Sequence, residues 1–71
     1  MKLQFDPIVI DPSIKSWGAE RGFRSFIITQ GVDGAFVSSY QDFGEKTVLI
    51  GTTKTLKAAQ HACNSNLKRA N

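Results

Sequence analysis

The sequence predicts an α+β fold: a three-stranded antiparallel meander covered by one C-terminal helix. Three observations carry it. The only long helical pattern lies near the C-terminus, where Leu56, Ala59, Cys63, Leu67 and Ala70 recur at helical spacing. Upstream, runs rich in aromatic and β-branched residues alternate with short glycine-bearing turns. Between two of those runs stands Asp33-Gly34, a pair that tolerates positive φ and is the strongest hairpin signal in the chain.

Taken in order, the elements read as follows. Residues 1–16 form an N-terminal arm that packs Phe5, Ile8 and Ile10 on the domain. Asp6-Pro7 and Asp11-Pro12 favour extended or turn backbone before each proline. Ile8-Val9-Ile10 between them could add an edge strand, where proline is tolerated, and Asp11-Pro12-Ser13-Ile14 is a turn or a single helical turn capped by Asp11. Trp17 to Gly22 is a loop or the start of a strand, since two glycines within five residues oppose helix. The sheet occupies 17–53, with strands over Phe23–Gln30, Ala35–Gln41 and Thr47–Gly51. On the first, Arg24, Phe26, Ile28 and Gln30 share one face and Phe23, Ser25, Ile27 and Thr29 the other; on the second, Phe36, Ser38 and Tyr40 oppose Ala35, Val37 and Ser39. Gly51 to Thr55 is a hinge, and the helix covers 55–69 with Thr55 as its cap. Ala58 and Ala62 widen the apolar stripe, and Lys57, His61, Asn64 and Lys68 make the polar one. Asn64-Ser65-Asn66 are poor helix formers, so the helix frays or ends near residue 64. Small residues on the helix opposite Phe23, Phe26, Ile27, Phe36 and Leu49 in the strands imply close approach of helix to sheet.

Seventy-one residues allow one domain with a small core. A single cysteine permits no internal disulfide and points to a reducing compartment. The N-terminus lacks the apolar stretch of a signal peptide, and no apolar run is long enough to span a membrane. A soluble, cytoplasmic protein is expected, with no membrane partner.

The net charge is +3, and it is uneven: residues 47–71 carry Lys54, Lys57, Lys68 and Arg69 and no acid, while all six acids lie upstream. That asymmetry suits an anionic partner, although a solvated helix face explains it equally.

Catalytic chemistry finds little support. His61 and Cys63 are two apart on a helix and point to different faces. One His and one Cys cannot build a zinc site, and Cys63 on the apolar stripe reads as a core residue. No pair of carboxylates shares a face at short spacing. No enzyme, cofactor or metal is expected. The stretch Gly51-Thr52-Thr53-Lys54-Thr55 leads from a strand into a helix, where free N–H groups attract anions. It lacks the first glycine and the length of a phosphate-binding loop. Thr53, Lys54 and Thr55 are therefore candidates for one anion contact, with ordinary capping as the alternative. For nucleic acid, the candidates are Arg21, Arg24, Lys54, Lys57 and Lys68. The large apolar residues on both faces of the first strand fit a groove-facing sheet poorly; they imply that both faces are covered or that one meets a protein.

Val48-Leu49-Ile50-Gly51-Thr52-Thr53-Lys54-Thr55-Leu56-Lys57-Ala58-Ala59-Gln60-His61-Ala62 resembles the last strand and helix of AP2-type DNA-binding domains. Similar three-strand-plus-helix modules occur in integrase arm-binding domains and small phage or prophage proteins. The resemblance implies a sheet lying in the DNA major groove, with Arg and Trp on the first strands as contacts. Trp17, Arg21 and Arg24 are the positions available here; the family's Arg-rich run and Trp-Gly-x-Trp pattern are missing. The Ala- and Lys-rich helix is also similar to the final helix of double-stranded-RNA-binding domains, whose leading helix has no counterpart. The function expected is a small non-enzymatic binding module that contacts nucleic acid through basic residues. The alternative is a phage-type accessory or inhibitory protein acting by protein–protein contact or homodimerisation.

Overall fold

The computed structural model describes residues 3–69, the last three by their backbone alone. It contains five strands and one helix: β1 (Asp6–Asp11), β2 (Ile14–Arg21), β3 (Arg24–Gln30), β4 (Phe36–Asp42), β5 (Val48–Thr53) and α1 (Leu56–Arg69). The strands form a single antiparallel sheet in the order β1-β2-β3-β4-β5.

This corrects the three-stranded meander. The α+β class with one C-terminal helix holds, but most of the expected arm belongs to the sheet as β1 and the start of β2. Of the two readings for the stretch from Trp17, strand holds and loop does not: β2 continues to Arg21. Gly18 explains the difference. It pairs with Ile27 inside the sheet, and a Cβ placed on it would lie 3.2 Å from Ile8 Cδ1 and 3.4 Å from Ile8 Cγ2. The glycine lets Ile8 of β1 fold across β2; it does not break the strand. The two prolines are equally consistent with strand. Pro7 sits on an edge strand, and Pro12 lies in the β1–β2 turn. There Asp11 Oδ1 accepts from the Ser13 N–H and hydroxyl, so the residue closes a turn and caps no helix. β1 carries one extra residue between Ile8 and Asp11, a bulge that leaves Val9 and Ile10 exposed and blunts that edge.

The Asp33-Gly34 hairpin forms. Gly34 has φ 86°, and Asp33 Oδ1 accepts from Ala35 N. Phe23 lies in the β2–β3 turn, not in a strand, and is 83% exposed.

Alternation decides which residues meet the helix. Phe26 and Ile28 of β3 and Ala59 and Cys63 of α1 are fully buried against one another. Leu3, Phe5, Trp17, Phe36, Tyr40, Ile50 and Leu56 close the margin of that core. Ile50 is the extra residue of a second bulge, between the pairs Ser38–Gly51 and Ser39–Leu49. The expected close approach is real but uses other partners: Ile27 lies on the opposite side, and Phe23 and Leu49 are exposed. Ser38 Oγ donates to the Ala59 carbonyl at 3.4 Å, which gives the buried hydroxyl a partner across the contact of helix and sheet.

Thr55 caps the helix, its Oγ1 accepting from Ala58 N at 3.1 Å. Ala58 is exposed and does not widen the stripe. The helix does not end at residue 64. Asn64 and Asn66 donate to the carbonyls of Gln60 and Ala62, and Asn64 Oδ1 accepts from Leu3 N at 2.8 Å. Those bonds use the polar side chains that lower intrinsic propensity, and they tie the N-terminus to the helix. The side chains of Leu67 and Ala70 lie outside the described residues.

Candidate functional site

The five expected nucleic-acid contacts do not gather. β2 to β5 run antiparallel, with Arg21 paired to Arg24 and Arg24 to Asp42 at one end of the sheet, and Gln30 paired to Phe36 and Phe36 to Thr53 at the other. Arg21 and Arg24 therefore stand at one end, while Lys54 and Lys57 follow Thr53 at the far end. Six residues of β3 separate the two groups, about 20 Å of strand. Acids stand beside both: Glu20 and Glu45 near the first, Asp11 and Asp33 near the second. The side chain of Lys68 lies outside the described residues.

Arg24 is engaged within the fold. Its Nε and Nη2 donate to Asp42 Oδ1 and Oδ2 at 2.6 and 2.8 Å, and its Nη1 donates to the Asn66 carbonyl at 3.3 Å. The guanidinium carbon lies 3.8 Å from the centre of the Tyr40 ring. The Arg24 side chain is only 14% exposed. It joins β3, β4 and the end of α1, and the bond from Arg24 holds the Asp42 carboxyl below its ordinary range despite opposing desolvation. At the hinge, Thr53 Oγ1 donates to the Thr55 carbonyl and Thr55 Oγ1 accepts from Ala58 N. Both hydroxyls serve the helix start, so of Thr53, Lys54 and Thr55 only Lys54 projects a group not used locally.

Cys63 is fully buried, and desolvation pushes its thiol up to about 11, against a smaller opposing effect of the Ser38 hydroxyl. A thiol in that state is a packing group and a poor nucleophile. His61 is exposed on the helix. Among the described residues no three His, Cys, Asp or Glu side chains cluster, and no helix is long and apolar enough to cross a membrane.

The feature that sequence reasoning underestimated is the face of the sheet away from α1. Register places Gly18, Ile27, Ser39 and Leu49 in one row across β2 to β5. Ile8, Ser16, Thr29, Val37 and Thr52 form the next row, across all five strands. No described element packs on these rows. Their interior carries no charge; at the margin stand Asp6 and Asp11 of the edge strand and Glu20 at the end of β2. Ile27 and Val37 are half-buried by their own neighbours, and Leu49 is 66% exposed. Ser16 is 3% exposed, and its hydroxyl has no protein partner. The alternation of Ile27 and Val37 was legible in the sequence. The contributions of Ile8, Ser16 and Gly18 were not, because they depend on the first two strands.

At the end that holds Arg24 and Asp42, this face runs into a cleft of about 380 Å³ between two turns. Phe23 and Phe43 line it, 83% and 87% exposed, and Phe43 N donates to the Phe23 carbonyl at 2.8 Å.

Compared with known proteins, the chain matches no family model, no curated protein and no solved structure.

Proposed function

We propose that this protein is a non-enzymatic binding module that acts by protein–protein contact through the face of the sheet opposite α1. The observation that carries the reading is the uncharged surface built by Ile8, Ile27, Val37 and Leu49 on four strands, with no helix over it. A broad uncharged sheet face that mixes half-buried and exposed apolar side chains with small polar ones, and that no described element covers, suits association. A sheet that entered a nucleic-acid groove would present basic and polar side chains. The basic residues instead stand about 20 Å apart at opposite ends of the sheet, and Arg24 is held by Asp42.

The contact to nucleic acid expected from charge is the competing reading, and it rests on Lys54, Lys57 and Arg21. Fluorescence anisotropy with labelled single- and double-stranded oligonucleotides at about 50 mM salt separates the two. The expected result is no binding by the wild-type protein. Binding that weakens steeply with salt and is lost in Lys54→Ala would overturn the protein–protein reading.

A further inference from the structure

We propose that the cleft between Phe23 and Phe43 takes an arginine side chain of the partner protein, at one end of the open face. This rests on the reading of that face as a protein-binding surface, and it names the chemistry the partner presents there.

Charge comes first. The charged residues that line the cleft, Glu20 and Asp42, are both acids; among the described residues no Lys or Arg lines it. Asp42 is held by Arg24. Glu20 is exposed, and alternation along β2 sets it on the open face, while Arg21 falls on the side of α1 with Trp17 and Ala19. The carboxylate of Glu20 therefore meets the cleft without either arginine of that end of the sheet beside it. A neutral apolar side chain seated there would desolvate this carboxylate and give it no partner.

The second observation is a row of acceptors. Register lays Glu20, Ser25 and Gln41 side by side on β2, β3 and β4. Gln41 Nε2 donates to the Glu45 carbonyl at 2.8 Å, so the group it can offer a ligand is its amide oxygen. Neighbouring strands thus present a carboxylate, a hydroxyl and an amide oxygen about 4.8 Å apart. A guanidinium carries five N–H donors in a planar fork and no acceptor, so it can meet several of them at once.

The third is the walls. The bond from Phe43 N to the Phe23 carbonyl ties the two turns together, and Gly22 and Gly44, with φ of 61° and 78°, set them. Both rings are exposed, and a guanidinium is attracted to a ring face and lies flat on it. The volume of about 380 Å³ is small for a ligand cleft and suits one long side chain. The other side of the sheet already joins the same parts: Arg24 lies over Tyr40 while bonded to a carboxylate.

Titrating Nα-acetyl-arginine amide, at constant ionic strength, into protein carrying 13C-labelled phenylalanine tests the proposal. Nα-acetyl-citrulline amide is the neutral control of the same shape. The ring signals of Phe23 and Phe43 should shift with the arginine compound, while that of Phe26, buried under α1, stays fixed. Citrulline should bind about threefold or more weaker, and Glu20→Gln and Phe43→Ala should each weaken the arginine compound by a similar factor. Both positions are exposed, so the fold is retained, as circular dichroism would verify. Rings that do not respond up to about 50 mM probe overturn the proposal. So does citrulline that binds equally well, or a Glu20→Gln variant that binds like the wild type. Each of these outcomes removes arginine as the occupant of the cleft alone; the open face as a protein-binding surface stands or falls separately, on the methyl signals of Ile27, Val37 and Leu49 when protein is added.

Discussion

Arg24 shows how one side chain can serve three elements. Its planar fork satisfies both oxygens of Asp42, lies over Tyr40 and reaches the Asn66 carbonyl. Read from sequence, the same residue looked like a phosphate contact, because charge is visible there and the partner eighteen residues on is not. The linkage has a definite sign. The folded Asp42 carboxyl titrates below its unfolded counterpart, so its stabilisation is fully present above about pH 4. It is lost as pH falls through the depressed folded value. Asp42→Asn should lower the melting temperature at pH 7 by a few degrees, and that difference should vanish at strongly acid pH. A difference independent of pH would show that the ion pair is not its source. Ala59 offers the matching test of packing. It is fully buried against Phe26, Ile28 and Cys63, so Ala59→Phe should cost about 1–3 kcal/mol in urea unfolding.

At the scale of elements, α1 was legible because two independent signals agreed. The apolar spacing gave the buried face, and Thr55 marked the start; Ala59, Cys63 and the Thr55 cap sit where those signals placed them. Thr55→Ala should cost about 1 kcal/mol, and Thr55→Asp should retain most of the cap. Thermal unfolding of the two variants side by side decides it. Propensity alone ends the helix near residue 64, because it counts Asn64 and Asn66 only as poor helix formers, whereas their amides bond back to the preceding turn and the helix runs on. β1 and β2 were legible only in part, as an optional edge strand at Ile8-Val9-Ile10 and an optional strand start from Trp17, for a similar reason. Their prolines and glycines are ordinary breakers in isolation, but Pro7 lies on an edge and Gly18 under Ile8, where a strand admits both. Only the finished sheet shows which role each residue takes.

At the scale of the whole molecule, one helix covers one side of a five-stranded sheet and nothing described covers the other. The alternation within β3 and β4 already showed apolar residues on both faces, but the width of the uncovered face depended on the first two strands, whose extent and pairing the sequence left open. That width turns scattered residues into a surface. It also moves the weight from charge to apolar contact, since the basic residues divide between the two ends. The most direct measurement is a dilution series followed by methyl NMR on protein labelled at Ile, Leu and Val. Signals of Ile27, Val37 and Leu49 should shift when a protein occupies that face, whether a further copy at high concentration or an added partner, while that of Ile28, buried under α1, stays fixed. Methyl signals of the open face that move neither with concentration nor with an added protein, together with a shift of the Leu56 methyls between Lys54 and Lys57 on adding an oligonucleotide, would contradict the assignment of this face as the binding surface.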